Sequence, residues 1–403
     1  MPGVETVSVG VWVDVGGRHE RLEENGLAHM LEHMAFKGTR RRSALRIAEE
    51  IEDVGGYLNA YTSREQTAYY ARVLRDDIGL AIELIADILM DSTFPEDELA
   101  REREVIRQEI AQVQDTPDDL IFDLLQEAAY PDQPVGRSIL GPPETVSGFR
   151  RDDLQRFLQR GYGADRMVVA AAGAVDEDAF LKAIESLFRD LGPASAPEPD
   201  AAVWRGGHII DARRLEQTHM AIGFDGIPIH DPDFVVAQVL SNLLGGGMSS
   251  RLFQEIRERR GLAYSVFSFA GGMADGGMVG LYAATGPESV AELVPALAHE
   301  IRRLAGDVEP VETARARAQM KAGLVMSLES SSARLEQIAR QTLIHGAPQS
   351  THDLLEKVDA VDDADVRRVA ERLFGTDSPL AIAAVGDVDH LAKPDEVAAQ
   401  FRP

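Results

Sequence analysis

The sequence predicts an α+β chain of two homologous domains, each a mostly antiparallel sheet with helices packed on one face. Three observations carry this reading. The same order of elements occurs twice along the 403 residues. In each half, strand hairpin runs precede long amphipathic helices, a pattern that fits regular βαβ alternation poorly. A stretch rich in Pro, Ala and acid (LGPASAPEPDA, 191–201) separates the halves as a linker would. The expected domains are therefore 1–190 and 203–403, joined by a linker at 191–202.

The first half opens on VSVGVWVDV (7–15), an apolar, β-branched strand, followed by a helical pattern at 26–36. Extended runs follow at 56–62 and 67–74, then two long amphipathic helices at 76–89 and 96–113, and a late strand, MVVAAAGAV (167–175). The second half repeats the series: THMAIGF (218–224), a helix at 234–244, extended runs at 264–270 and 277–284, helices at 289–304 and 310–328, and LAIAAVGDV (380–388). Gly173 and Gly386 hold matching places after the two late strands. The glycines at 245–247 lack the Lys-Ser/Thr of a phosphate loop and read as a flexible turn between helices.

Composition narrows the function classes. An apolar fraction of 44% allows each half a core of its own. No run of about twenty apolar residues is present, so no membrane-spanning helix is expected. The first residues lack the features of a secretory signal, which makes a cytoplasmic location the expectation. With no cysteine, disulfides and thiolate ligands are excluded, and any metal must be held by His, Asp or Glu. The net charge of −26, from 41 basic and 67 acidic side chains, argues against a broad basic face for nucleic acid. A solvated acidic surface accounts for that charge; an acidic cavity that attracts basic peptides is the functional alternative.

The segment HMLEH at 29–33 places two histidines at i and i+4 inside an apolar helical run, so both imidazoles reach one metal ion. Glu32 stands beside His33 and one turn from His29, within reach of a water on that metal. Catalytic zinc takes three protein ligands and leaves a fourth position open, so a carboxylate from elsewhere should complete the set. The helix at 98–113 is the natural donor: Glu102 and Glu109 lie two turns apart on one face, and Glu104 points elsewhere. A ligating Glu and a second acid that orients a histidine would both fit that face.

At this point the sequence resembles the pitrilysin/insulysin family of inverted-motif zinc peptidases, and within it the β-type subunits of mitochondrial processing peptidase and their bacterial homologues. The segments that carry the resemblance are HMLEHMAFKGT (29–39), GGYLNAYTSREQTAYY (55–70), EREVIRQEI (102–110), GRSILGPPET (136–145) and GGGMSSRLFQEIRERRGLAYSV (245–266). It implies one zinc ion per chain held by His29, His33 and Glu109, with Glu32 as general base and Glu102 as supporting acid. Arg257 and Tyr264 match a pair that reaches the active site and holds the substrate backbone, with Tyr264 near the carbonyl under attack. Read without the family, Arg257 is one charge in a basic helix end and Tyr264 an ordinary strand aromatic. The run at 56–62 matches an exposed edge strand that pairs with substrate, in which Asn59 and Ala60 supply part of the contact. An internal strand would read the same.

The resemblance implies a zinc-dependent endopeptidase, with Glu32 activating a zinc-bound water, that hydrolyses peptides or unfolded segments inside a closed chamber of four such domains. This chain supplies two, so a homodimer is expected. The alternative is a catalytic or structural subunit that needs an unlike partner chain, as in a heterodimer with a related subunit. The acidic balance and the resemblance together suggest a preference for basic peptides. Relatives usually carry a further strand segment ahead of the one at 7–15, so an additional N-terminal segment is a further expectation.

Overall fold

The computed structural model describes residues 1, 3–195 and 198–402; residues 196 and 197 of the expected linker lie outside them. The first elements in chain order are β1 (Thr6–Val13), α1 (Leu27–Ala35), α2 (Ala44–Glu52), β2 (Tyr57–Thr62), β3 (Thr67–Leu74) and α3 (Ile78–Met90). Next come α4 (Glu96–Gln114), α5 (Pro117–Ala129), α6 (Pro143–Gly148), α7 (Arg151–Gly161), β4 (Met167–Gly173) and α8 (Glu177–Leu187). They are followed by β5 (Gly207–Ala212), β6 (Thr218–Asp225), α9 (Phe234–Gly245), a π-helical segment (Phe253–Arg259), β7 (Ala263–Gly272) and β8 (Gly277–Thr285). The last are α10 (Val290–Leu304), α11 (Pro310–Ser327), α12 (Ser331–His345), α13 (Thr351–Asp359), α14 (Asp363–Phe374), β9 (Ala381–Gly386) and α15 (Pro394–Phe401).

Two compact units result, and neither is continuous in the chain. The first comprises Met1–Gln112, Arg137–Asp200 and Val325–Gln349; the second comprises Val113–Gly136, Ala201–Leu324 and Ser350–Pro403. Each unit therefore takes one helix from the other half of the chain, α12 in the first and α5 in the second.

In the first unit an antiparallel sheet runs β2-β3-β1-β4. Strand alternation sends Val9, Val11 and Val13 of β1, with Tyr69, Ala71 and Val73 of β3, into a core shared with α1 and α3. Trp12, Ala68, Ala170 and Ala172 face the other way and pack against Leu335 and Ala339 of α12. With both faces covered, β1 needs no polar side, and so it reads as an unbroken apolar run. Burying one such Val or Leu contributes roughly 1.5–3 kcal/mol. Its one buried hydroxyl, Ser8, meets Ser331 Oγ at 2.9 Å and Ser332 Oγ at 3.1 Å.

In the second unit the order is β5-β9-β6-β8-β7, antiparallel except for the β5–β9 pair. Met220, Ile222 and Phe224 point into a core with α9, α10 and α14. Ala221, Tyr282, Ala383 and Val385 face α5 and its Leu120, Ile121 and Leu125. The matched glycines prove equivalent in conformation, with φ of +125° at Gly173 and +132° at Gly386. A Cβ on Gly173 would lie 2.2 Å from Thr6 O and one on Gly386 2.6 Å from Gln217 O, so neither turn admits a side chain.

Some elements escape the sequence pattern. The helix expected from residue 76 starts at Ile78, behind a 3-10 turn at Arg75–Asp77. β5 has two adjacent isoleucines and no alternating run, and α12 buries only Ser331, Leu335 and Ala339, too thin a stripe to show as a period. No helix among the described residues is long and apolar enough to cross a membrane.

Candidate metal centre

Packing of α1 determines which of its side chains stay available. Leu27, Ala28, Met30, Leu31, Met34 and Ala35 are buried, leaving His29, Glu32 and His33 as the half-buried positions of one helix face. The two imidazole centroids are 4.6 Å apart, edge to face. α4 presents the acids: it buries Leu99, Glu102 and Ile106, and Glu109 continues that face two turns on from Glu102. Glu109 Oε2 lies 3.7 Å from His29 Nε2 and 3.7 Å from His33 Nε2. Glu104 is exposed and pairs with Arg107 at 3.0 Å.

One ligand atom from each of His29, His33 and Glu109 lies within 4.8 Å of the other two. Zinc bonds of about 2.0–2.2 Å in a tetrahedron put neighbouring donors about 3.3–3.6 Å apart, so a small inward shift closes the set. Two imidazoles and one carboxylate are also a donor set that catalytic zinc takes. The residues fit the ion.

Electrostatics support the same assignment. Burial, and then the neighbouring His33, push His29 down to about 3, so it stands neutral with a lone pair to offer. Burial alone would lower His33 too, but the hydrogen bond that its Nδ1–H donates to Glu102 and the charges of Glu109 and Glu32 hold it above its ordinary value. A metal cation in this carboxylate field displaces that proton. Glu102 Oε2 holds His33 Nδ1 at 2.8 Å, and its other oxygen takes Lys37 Nζ at 2.7 Å. Burial would raise Glu102, yet His33 and Lys37 outweigh it and keep the carboxyl below its usual range. His29 Nδ1, in contrast, is buried without a partner among the described residues.

Glu32 is tied from the sheet: the Thr62 hydroxyl donates to its Oε2 at 2.6 Å. Burial is the main influence that raises its pKa, with Glu109 adding to it, and a raised carboxyl makes a better proton acceptor near neutrality. Thr62 ends β2, an edge strand with β3 as its one sheet neighbour among the described residues. On β2, Asn59 stands opposite Tyr70 and Ala60 opposite Tyr69. The Ala60 N–H donates to Asn59 Oδ1 at 2.9 Å, and the Asn59 amide donates to the Tyr57 hydroxyl.

Arg257 and Tyr264 are brought together in the second unit. The Arg257 guanidinium lies 4.7 Å from the Phe253 ring centroid and 4.2 Å from that of Tyr264, and its Nη1 donates to Tyr264 O at 3.0 Å. The Tyr264 side chain is 72% exposed. Beside the pair is a cavity of about 420 Å³ whose aromatic lining includes Phe122, Phe253, Phe267 and Tyr282.

Sequence reasoning missed Thr62 and Lys37. Lys37 had a signal, one helical turn after His33, but its partner is on another helix. Thr62 had none, because a contact between positions 32 and 62 depends on how the sheet packs on α1.

Residues 1–143 match the insulinase family (peptidase family M16), and residues 148–320 match the peptidase M16 inactive domain. An uncharacterized zinc protease of Rickettsia bellii is 39% identical over 383 residues, which cover 95% of this chain and 93% of that protein. The probable mitochondrial-processing peptidase subunit beta of Arabidopsis thaliana is 39% identical over 403 aligned positions, covering 96% of this chain and 75% of its own length. In fold, a protease from Helicobacter pylori superposes with a TM-score of 0.88 at 23% identity, covering 96% of this chain and 95% of that one. Zinc proteases of the M16 type are thus what this chain resembles along nearly its whole length, and it belongs to peptidase family M16, the insulinase family, as a zinc metallopeptidase.

Proposed function

We propose that the chain is an endopeptidase that cleaves peptides or unfolded segments at the α1–α4 centre. The observation that carries this is the convergence of His29, His33 and Glu109 with Glu32 on the same helix face. Held by those three residues, zinc supplies Lewis acidity and brings the pKa of a water to about 7. Glu32, steadied by Thr62, accepts the proton of the attacking water and returns it to the leaving amine. Glu102, itself paired with Lys37, keeps the His33 ring turned so that its Nε2 faces Glu109. The free side of β2 around Asn59 and Ala60 suits main-chain pairing with an extended peptide, which accepts varied sequences because the contacts are to backbone. For that, Asn59 Oδ1 must release the Ala60 N–H. Arg257 and Tyr264 hold the substrate main chain; the stacked guanidinium and the exposed phenol suit that role.

Two chains together make the four-domain chamber. Basic peptides are the preferred substrates, a reading that rests on the net charge of −26. Digestion of a mixed peptide library, read by mass spectrometry beside a Glu32→Gln variant, tests the whole. Cleavage by the parent alone, faster for basic than for acidic peptides of one length, is expected. Cleavage by both proteins, or by neither with zinc bound, overturns the assignment, and equal rates for the two peptide classes remove the charge preference.

A further inference from the structure

The segment GRSILGPPET (136–145) and the turn ahead of α1 take no part in the chemistry above, yet they meet at one place. α1 begins at Leu27 behind Gly26, which has φ +96° and offers no side-chain cap. The first N–H groups of a helix have no partner inside it and need one outside. Here Glu20 supplies it from eight residues upstream of Ala28. Glu20 Oε1 accepts the Ala28 N–H at 2.7 Å, and Oε2 accepts the Gly26 N–H at 3.0 Å and the Asn25 amide at 3.1 Å. Glu20 is 3% exposed, and burial pushes its carboxyl up to about 7 although the bonds from Ala28, Gly26 and Asn25 favour the ionised form, as does its place at a helix N-terminus.

The second segment clamps this turn from outside. Arg137 Nη2 donates to Glu20 O at 2.8 Å, the Asn25 amide to Ser138 O at 2.9 Å, and the Thr145 hydroxyl to Asn25 O at 2.9 Å. Gly26 and Gly141 touch: a Cβ on Gly141 would lie 2.3 Å from Asn25 O, and one on Gly26 2.6 Å from Leu140 O. Two glycines are needed for so close an approach.

The two histidines depend on this clamp unequally. His33 has its ring oriented by Glu102, whereas His29 Nδ1 has no partner among the described residues. With no hydrogen bond at Nδ1, the His29 ring rests on its edge contact with His33 and on the course of its own backbone, and the residue just before it is Ala28, whose N–H Glu20 holds. We propose that Glu20 is a positioning residue for the metal ligand His29, acting through the first turn of α1. This rests on His29 being a ligand, as proposed above.

The test is zinc affinity by chelator competition, with thermal stability in parallel, for the parent, His29→Gln, Glu20→Gln and Leu335→Ala. Gln keeps one acceptor oxygen and puts an NH2 donor in place of the other, so the N–H of Gly26 or of Ala28 then faces a donor. Leu335 is buried on α12, against the face of the first unit's sheet that is turned away from α1, and serves as a control for stability loss alone. Glu20→Gln is expected to weaken zinc binding about 10–100-fold, as loss of a ligand-orienting partner does, while Leu335→Ala leaves it unchanged. Affinity within twofold of the parent in Glu20→Gln, or equal weakening in Leu335→Ala, overturns the proposal. Parent-like affinity in His29→Gln overturns instead the ligand assignment beneath it. Should Glu20→Gln not fold, Thr145→Val, which removes one hydroxyl from the clamp, must show weaker zinc binding; unchanged affinity there overturns the proposal.

Discussion

α1 and α9 do the same structural work in the two units and different chemistry. Aligned on their buried positions, Leu27, Ala28, Met30, Leu31, Met34 and Ala35 correspond to Val236, Ala237, Val239, Leu240, Leu243 and Leu244. The positions of His29, Glu32 and His33 are then taken by Gln238, Ser241 and Asn242. The segments that follow each keep an arginine in the matching place. Arg42 bonds Asp87, Glu83 and Glu50, and Arg251 bonds Asp307 and Glu312. Folding asks only for the apolar stripe and this anchor, so the remaining face is free to carry the proposed metal site in one unit and amides in the other. That difference agrees with the match of the second half to an inactive domain.

Copying the second unit into the first should have the largest effect. His29→Gln with His33→Asn is expected to abolish zinc binding and turnover while the apolar stripe, and hence far-UV circular dichroism, stays as in the parent. Metal analysis with retained tight zinc would break the comparison. Glu32→Gln should leave zinc content unchanged and lower kcat by about 10²–10⁴-fold, the usual contribution of a general base. A variant that loses zinc instead would make Glu32 a ligand. Glu102→Gln weakens the grip on His33 and should cost about 10–100-fold in zinc affinity, read by chelator competition.

Smaller effects separate the two frameworks. Burial by itself would raise Asp87, but Arg42, Thr39 and Arg41 bond it and hold its pKa below the ordinary 3.8. A depressed carboxyl stabilises the fold above the unfolded value and loses that contribution as pH falls through the folded one. The melting temperature should therefore fall more steeply below about pH 4 in the parent than in Asp87→Asn. Parallel curves would show that the Arg42 anchor does not matter to stability.

The smallest expected difference lies at the sheet edges. β9 is buried along its whole length between β5 and β6, whereas β4 is only partly buried and has β1 as its one strand neighbour among the described residues. The turns nonetheless correspond, since Gly386 O accepts the Arg213 N–H at 2.9 Å and Gly173 O accepts the Met1 ammonium at 2.6 Å. Amide hydrogen exchange should be faster in β4 than in β9. Equal protection would mean that something covers the β4 edge.

Much of this was legible in the residues themselves. The i, i+4 histidines with Glu32 between them share one face, that of the proposed metal site, without any tertiary information, because helix geometry alone puts them there. The alternation in β1 and β3, the long helices and the repeated order of elements follow from local periodicity in the same way. Glu102 and Glu109 could be placed on one face of α4, but only the resemblance distinguished the ligand from the supporting acid. The packing of α1 on α4 decided that Glu102 meets Nδ1 of His33 while Glu109 meets Nε2 of both rings. Tertiary structure alone decided that Thr62 steadies Glu32, that Glu20 caps α1, and that α5 and α12 each join the unit built mainly from the other half of the chain. These contacts join residues far apart in sequence, and neither period nor spacing encodes which buried surface a helix will find.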